Sequence, residues 1–404
     1  MFDEIAANFD PSVLGASVSE WVANIGVNTV VVMIMAIFML VGAVDRIMGN
    51  KFGYGEEWEA GFAAMGDLAI AMAGVVAAAP VLAILLKPFI VPVYQIFGAD
   101  PAMFATTLLA CDMGGYPLAL QLAADESIGQ FAGIVLGTMM GPTIVFTIPV
   151  ALGIIDEADR SYLGAGVLAG MITIPIGCLA GGIVMNVTTD YNMSIVAILQ
   201  NLIPVVIIAA LIVAGLWFIP AKMIAGFNVF GQGVTIVITF FTAIAIFQYN
   251  TGIRLPLFNI MHDGEGGDQL EAGLLTCGII AITLCGAYPM VKFITSTFGG
   301  ALEKVGGLLG VNSQASAGMV ANLANNIAMF NILKDMDPKG KLLNVAFSVS
   351  AAFCFGDHLG FTAANSPTMI ASEIVGKLVA GVTALIVASL LSPMLLKKIQ
   401  EASK

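Results

Sequence analysis

Long apolar segments recur along the whole chain, the first at residues 27–48 and the last at residues 374–396. About 20 apolar residues in a helix cross the hydrocarbon layer of a bilayer, where a helix satisfies its own backbone groups. Hydrophobic residues make up 59% of the chain and charged residues 10%, with a mean hydropathy of +0.96. We count eleven candidate spans. The sequence therefore predicts an all-α, polytopic integral membrane protein with about 10–12 transmembrane helices.

Composition also excludes several classes of protein. The net charge of −12 argues against a nucleic-acid partner, which would need a basic surface. The five cysteines occur singly inside apolar segments, so we expect buried side chains and not disulfides or metal ligands. No nucleotide-binding GxxxxGK[ST] loop occurs. We predict no metal and no cofactor, and we expect the lipid bilayer and a homo-oligomer as partners.

A carboxylate stands in the middle of one apolar segment. Asp112 lies about 14 Å into the run from residue 103 to residue 122, counted as a helix. An ionisable residue at this depth is costly and marks a candidate functional site, although an aspartate that only bonds a neighbouring helix is the alternative. Gly114, Gly115 and Pro117 follow it and favour a broken helix that lines a binding site.

The second half of the chain carries its own polar breaks. Asn322, Asn325 and Asn326 interrupt one apolar segment, and asparagine offers both hydrogen-bond donors and acceptors. The next segment contains Gly356, Asp357 and His358 in succession, which places a second acid beside one of only two histidines. If the breaks of the two halves meet, they line one negatively charged cavity. Such a cavity suits a small cationic solute that carries a hydroxyl group.

Further along, Glu373 and Lys377 are four residues apart on a predicted helix and are expected to pair with each other. The apolar piece at residues 89–97 is too short to cross and is expected to be interfacial or re-entrant. The polar run at residues 263–268 is expected to form a flexible turn.

An internal duplication is indicated when the sequence is aligned with itself at an offset of 215 residues. This offset aligns residues 163–169 with residues 378–384, and an offset of 214 residues aligns Asp112 with Asn326. Two halves that each carry a polar break are typical of secondary transporters. We predict an N-terminal polar or interfacial segment at 1–26, a first repeat with a linking helix at 27–220 and a second repeat at 221–404. The eleven spans imply parallel repeats, and one re-entrant span among them would make the repeats inverted.

Loop charges predict the orientation in the membrane. This count places Arg254, Lys341 and Lys398 on one side, and Arg160 and Lys222 on the other. By the positive-inside rule, the amino terminus is then outside and the carboxyl terminus is cytoplasmic.

Several long motifs resemble the ethanolamine-utilisation permease family EutH. The runs TLLACDMGGYPLA, MVANLANNIAMF and FGDHLGFTAAN carry the resemblance, which extends over residues 27–396. It implies an inner-membrane permease that takes up ethanolamine for catabolism by facilitated diffusion or alternating access, and not an enzyme. For such a substrate, the charge partners would be Asp112 and Asp357. Asn325 and Asn326 would orient the hydroxyl. The remaining members of the predicted substrate site are Asn322, Gly114, Gly115, Gly356 and His358.

Two other functions remain open from the sequence. The first is transport of another small amine or amino alcohol, with or without ion coupling. The second is an intramembrane aspartyl protease, because two carboxylates that share a proton can activate water. The residues that precede Asp112 and Asp357 do not fit the Tyr-Asp and Gly-x-Gly-Asp patterns of that class.

Overall fold

The computed structural model describes residue 10, residues 12–263 and residues 267–402, and within them it contains helices, turns and no β-strand. Seven helices are long and apolar enough to cross a membrane, and a pair bent by 42° passes the same test together. The prediction of an all-α, multi-pass membrane protein is confirmed.

The first half of the chain begins with three continuous helices and then becomes irregular. Its elements are α1 (Ser12–Ala23), α2 (Val27–Ile47), α3 (Tyr54–Ile96), α4 (Ala102–Leu108), α5 (Gly115–Leu122), α6 (Glu126–Ile154), and the bent pair α7 (Arg160–Met171) and α8 (Ile174–Thr188). Helix α3 continues through Pro80, Pro88 and Pro92. The separate apolar piece expected at residues 89–97 is therefore wrong, because neighbouring helices allow a membrane helix to continue past proline.

The second half follows a linking helix, α9 (Ile195–Phe218). Its elements are α10 (Pro220–Thr251), α11 (Ile260–Asp263), α12 (Gln269–Leu309), α13 (Ser313–Ala324), α14 (Asn326–Asn331), α15 (Pro338–Ala351), α16 (Asp357–Asn365) and α17 (Ile370–Ala402). Helix α9 is about 36 Å long at 1.5 Å per residue. Asn201 lies near its beginning and Trp217 near its end. We therefore call the two ends of the helix bundle the Asn201 end and the Trp217 end.

Helices α4 and α5 form a hairpin, called hairpin 1 (residues 102–122), that enters and leaves at the same end. Asp100, just before it, accepts a hydrogen bond through Oδ2 from the backbone N–H of Ala124, just after it, at 3.0 Å. The backbone N–H of Asp100 donates to Asn201 Oδ1 at 2.8 Å. Both ends of the helical hairpin are therefore held at the Asn201 end. Hairpin 1 is therefore re-entrant, and Asp112 lies at its tip and not midway along a crossing helix.

Helices α13 and α14 form a corresponding hairpin 2 (residues 313–331) at the opposite end. The backbone N–H of Asn312 donates to Asp337 Oδ1 at 2.8 Å, which brings the two ends of this hairpin together. Lys341, one turn further on, forms a 2.6 Å ion pair with Asp159 at the start of α7. The first turn of α7 lines a cavity together with Trp217, so hairpin 2 opens at the Trp217 end.

Two re-entrant hairpins and one broken pair explain why fewer helices pass as crossings than the eleven spans counted in the sequence. The α15–α16 pair consists of helices of 14 and 9 residues, so neither is long enough to count as a span. The count of 10–12 crossings treated both hairpins as spans, because each contains enough apolar residues to cross. Their entry from opposite ends favours the inverted arrangement of the two that the sequence left open. Helix α6 breaks at residues 137–139 and the α15–α16 pair at residues 352–356, at the offset of the sequence alignment. The duplication and the division at 1–26, 27–220 and 221–404 stay predictions.

One smaller expectation is wrong and another stays a prediction. Arg160 and Lys398, assigned to opposite sides by the loop count, line the same cavity. In the described part of the polar run at residues 263–268, His262 Nδ1 lies 2.5 Å from Asp268 Oδ2 and His262 Nε2 lies 3.2 Å from the Ala245 carbonyl. These contacts anchor the two ends of the run, and the flexible turn between them stays a prediction. Residues 264–266 lie outside the described residues.

Candidate functional site

The tip of hairpin 1 is a short 3₁₀ turn at Cys111–Met113, between α4 and α5. Gly114 reverses the chain with φ of +87°, a conformation that side chains rarely adopt. A Cβ at Gly114 would also overlap the side chain of Val75 on α3. The N–H of Cys111 donates to the carbonyl of Gly137 at 2.9 Å. The break of α6 therefore holds the tip in place.

The tip of hairpin 2 lies at Asn325, which is extended and separates α13 from α14. Its side-chain oxygen caps α14 by accepting from the N–H of Ile327 at 2.8 Å. The N–H groups of Phe353 and Phe355, in the break between α15 and α16, donate to carbonyls at the end of α13 at 3.0 and 2.8 Å. A broken crossing helix therefore holds each hairpin tip.

Asp112 is partly accessible, and within the described residues its carboxylate accepts no hydrogen bond from another residue. A carboxylate oxygen of Asp112, the Cys111 sulfur and a ring nitrogen of His358 all lie within 4.8 Å of one another. Hairpin 1 therefore meets the first turn of α16 at the centre of the bundle. The Asp112 carboxylate is therefore not occupied by a side chain or backbone group of another described residue.

His358 is fixed from behind by a lysine that the sequence analysis did not assign to the site. The Nζ of Lys377 lies 2.8 Å from His358 Nδ1 and donates to the carbonyl of Thr138 at 2.6 Å. Since an ammonium group only donates, Nδ1 is the acceptor and the ring proton is on Nε2. Thr138 stands in the break of α6, so Lys377 satisfies a carbonyl that the break has freed.

The predicted pair of Glu373 with Lys377 is wrong, because Lys377 turns toward His358 and Thr138. Glu373 is 0% exposed, and neither of its carboxylate oxygens has a hydrogen-bond partner among the described residues. The i, i+4 spacing was compatible with a pair. The Thr138 carbonyl in the break of α6 accepts the hydrogen bond from Lys377 instead, and only the tertiary structure brings these groups together.

Asp357 lies at the start of α16 and is held by α12. The Tyr288 hydroxyl donates to Asp357 Oδ1 at 2.6 Å, which leaves the second oxygen available. Gly356 stands against hairpin 2, where a Cβ would overlap the carbonyl of Ala324. Asp357 and Asn325 are thus carried by backbone segments in contact. Tyr288 was missed because a tyrosine in an apolar segment gives no distinctive sequence signal.

The other two asparagines face packing contacts. Asn326 donates to Thr147 Oγ1 of α6 at 3.0 Å, and Asn322 donates to the carbonyl of Asn344 on α15 at 3.3 Å. Both side chains are fully buried, whereas Asn325 is partly accessible. The structure therefore brings Asp112 and His358 together and sets Asn325 beside the start of α16. It directs Asn322 and Asn326 to the attachment of hairpin 2.

Cys111, Asp112 and His358 form the one group of metal-ligand residues that lies close enough to hold an ion, within the part of the chain that the structure describes. Lys377 already occupies one ring nitrogen of His358 and adds a positive charge beside the group. That charge opposes a metal cation, so we assign no metal to this site.

Asp112 interacts electrostatically with both Asp357 and Lys377, and Glu373 interacts with Lys377 in the same way, so three carboxylates accompany one ammonium group here. When these groups are ionised, the site carries net negative charge in a medium of low dielectric and attracts a small cation. Re-entrant segments whose tips lie beside broken helices are typical of secondary transporters. The fold and the site thus define a multi-pass membrane transporter.

Comparison with known sequences identifies the family. Residues 27–391 match the sequence model described as "Ethanolamine utilisation protein, EutH", and the chain belongs to this family. A relative from Listeria monocytogenes, named "Probable ethanolamine permease EutH", is 52% identical over 372 residues, which cover 92% of this chain and 96% of the relative. Relatives of the same name from Salmonella typhimurium and Escherichia coli are each 49% identical over 394 residues, which cover 91% of this chain and 96% of each relative. No solved structure matches the chain.

Proposed function

We propose that this protein is a permease that carries ethanolamine across the bacterial inner membrane for ethanolamine catabolism. The observation that carries the proposal is the Asp112 carboxylate, partly accessible and without a hydrogen bond from another described residue, at the tip of hairpin 1. The relatives named as probable ethanolamine permeases supply the substrate. Their names describe transport, and the proposal contains no enzymatic step.

Ethanolamine offers an ammonium group and a hydroxyl group to the site. The ammonium binds Asp112, and the second oxygen of Asp357 takes another of its N–H groups. The Asn325 amide nitrogen, which has no partner among the described residues, donates to the hydroxyl oxygen. His358 limits the space beside Asp112, because Lys377 fixes its ring.

The remaining predicted residues act through the backbone. Gly114 and Gly115 allow the turn of hairpin 1, and Gly356 allows hairpin 2 to approach the start of α16. Asn322 and Asn326 attach hairpin 2 to α15 and α6. These contacts fix the backbone on which Asp112 and Asn325 are carried.

The route is facilitated diffusion or alternating access. Hairpin 1 separates the site from the Asn201 end and hairpin 2 separates it from the Trp217 end, so each hairpin can act as one gate. Movement of one hairpin while the other stays attached exposes the site to one side at a time. A permease must also release its substrate, so the affinity is modest.

Basic residues orient the bundle. Arg160, Lys222, Lys341 and Lys398 lie at the Trp217 end, whereas Arg254 follows α10 at the Asn201 end. By the positive-inside rule, the Trp217 end is cytoplasmic and the amino terminus is outside. Single cysteines at Asn228 and Arg254 test this orientation. A membrane-impermeant thiol reagent applied to intact cells should label only the second, and the reverse result would invert the bundle.

A homo-oligomer is part of the proposal. Asp67 lies exposed on α3, about 20 Å from its first residue, and has no hydrogen bond or ion pair among the described residues. A second copy packed on this face would separate the carboxylate from lipid. A cysteine at Gly66, the exposed residue next to Asp67, should crosslink two copies in the membrane. Absence of the crosslink, with the protein folded and active, would contradict this interface.

The experiment is uptake of labelled ethanolamine into proteoliposomes at mildly acidic pH, where leakage of the neutral amine is suppressed. We expect protein-dependent uptake that falls at least about tenfold in Asp112→Asn, since a hydrogen bond to a charged group is lost. Asp190→Asn is the matched control, because Asp190 is exposed in a loop. Wild-type uptake no greater than that of empty vesicles would overturn the proposal.

A second candidate is transport of another small amine or amino alcohol. It is favoured by the fact that a carboxylate such as Asp112 binds any ammonium group, whereas only the Asn325 contact in the proposal depends on a hydroxyl. Unlabelled ethylamine and ethanolamine should be compared as competitors in the same assay. Stronger competition by ethylamine would favour this second candidate. Imposed proton and sodium gradients in the same vesicles test ion coupling.

A further inference from the structure

A cavity of about 600 Å³ lies at the Trp217 end, away from the hairpins. It is enclosed by α6, α7, α9, α10 and α17, and its volume is within the range of about 300–1,000 Å³ that is usual for ligand pockets. Its walls are largely apolar, with contributions from Leu152, Leu168, Leu216, Ile224 and Leu395. Hydrocarbon chains fit such walls better than a polar solute does.

Two cations line the same cavity. Lys398 Nζ lies 3.7 Å above the centre of the Trp217 ring and donates to the Trp217 carbonyl. Arg160, in the first turn of α7, has Glu157 as its ion-pair partner at a long 3.7 Å, and the Glu157 side chain is 90% exposed. An ion pair of this kind contributes little and leaves the guanidinium free to bind another anion.

No acidic residue among those described lines the cavity, and two acids near its cations have partners of their own. Asp159 is paired with Lys341 at 2.6 Å, and Glu401 faces Lys397 at 3.9 Å. Neither acid lines the cavity. The cavity therefore combines apolar walls with net positive charge at the end of the bundle that carries most of the basic residues.

A second cavity of about 370 Å³ adjoins the first through Trp217. All the residues that line it are apolar, and they come from α9 and from the bend between α7 and α8. They include Met171, Pro175, Val206, Val213 and Phe218. Two apolar clefts thus flank one tryptophan that carries a lysine above its ring.

We propose that these clefts bind an anionic phospholipid. The phosphate contacts Arg160 and Lys398, and one acyl chain occupies each cleft on either side of Trp217. Basic pockets between transmembrane helices bind anionic lipid headgroups, and tryptophan prefers the membrane–water boundary. A free phosphate ion would leave the apolar walls uncovered, so the walls select a lipid. This site is separate from the substrate site and does not depend on the transported solute.

The test is lipid binding to the full-length protein in detergent, measured by native mass spectrometry. Phosphatidylglycerol and phosphatidylcholine with identical acyl chains are the probes. We expect tighter binding of phosphatidylglycerol, and about a fivefold loss of this preference for each of Arg160→Gln and Lys398→Gln, as one cation near a lipid surface contributes. Lys397→Gln is the matched control, because Lys397 is exposed and lies outside the cavity.

Three outcomes would overturn the proposal. They are an equal preference for the two lipids in the wild type, an equal loss in Lys397→Gln, and displacement of phosphatidylglycerol by millimolar inorganic phosphate without loss of protein stability. Lys398→Gln also removes a hydrogen bond to Trp217, so its melting temperature is measured in parallel. Arg160→Gln, on a different helix, decides the result if Lys398→Gln does not fold.

Discussion

Hairpin 1 and hairpin 2 enter the bundle from opposite ends, and a broken crossing helix holds the tip of each. Their tips differ in chemistry: Asp112 presents a carboxylate without a hydrogen bond from another described residue, whereas the Asn325 side chain caps its own helix through its oxygen. In the function that we propose, the first tip binds the charged end of the substrate and the second orients its hydroxyl end.

The strongest way to break this comparison is to exchange the two tips. Asp112→Asn is expected to lower ethanolamine uptake about 10- to 100-fold, because a hydrogen bond between charged groups is lost. Adding Asn325→Asp should not restore uptake, because that carboxylate would cap α14. Restored uptake in the double variant, measured in proteoliposomes, would show that the tips are interchangeable.

The next largest effect is expected from the hydrogen bond that orients Asp357. Tyr288→Phe deletes the hydroxyl that donates to Asp357 Oδ1. We expect the apparent affinity for ethanolamine to fall about tenfold, since the carboxylate loses a fixed orientation, with a smaller effect on maximal uptake. Tyr249→Phe is the control, because Tyr249 bonds Glu271 at the surface. An equal effect of both variants would assign Tyr288 to stability alone.

Asn325→Ala tests the orienting tip. Loss of a neutral donor should lower ethanolamine uptake about threefold to tenfold and leave ethylamine uptake nearly unchanged. Asn325→Ser keeps a helix cap for α14 and separates the cap from the donor. Equal losses of uptake for both amines would show that Asn325 does not bind the substrate hydroxyl.

The smallest expected effect concerns Asp268. Unlike Asp112, this carboxylate has a side-chain partner, His262. Partial burial raises the pKa of Asp268, but hydrogen bonds from His262 and from backbone N–H groups outweigh it and hold the pKa below the ordinary 3.8. The stabilisation is therefore present above about pH 3.8 and is lost as the pH falls through the lowered value. Asp268→Asn should cost about 1 kcal/mol at neutral pH and leave uptake unchanged.

Thermal unfolding of wild type and Asp268→Asn in detergent, followed from neutral to acidic pH, measures this contribution. The two curves should converge at low pH. A constant difference at all pH values, or a loss of uptake in Asp268→Asn, would contradict a purely stabilising role for this pair.

Much of the candidate site was predictable from the sequence. Asp112 and Asp357 were recognisable because a carboxylate within an apolar segment requires a partner or a cavity. Asn322 and Asn326 had the same polarity as Asn325, but contacts with α15 and α6 direct them to packing. Helical spacing predicted that Lys377 pairs with Glu373. In the structure it bonds the Thr138 carbonyl, which the break of α6 has freed, and His358. Partners from distant segments leave no periodic signal in a sequence.

The sequence by itself determined the all-helical membrane class, the family and the positions of the polar breaks. Apolar length and buried charge have large free-energy costs in lipid, so they are visible in composition and spacing. The tertiary structure decided that residues 102–122 and 313–331 return to the end from which they enter. Hydrogen bonds of Asp100 with Ala124 and of Asn312 with Asp337 close these hairpins. A segment of about 20 apolar residues is long enough either to cross a bilayer or to fold back within a protein, and only its contacts distinguish the two.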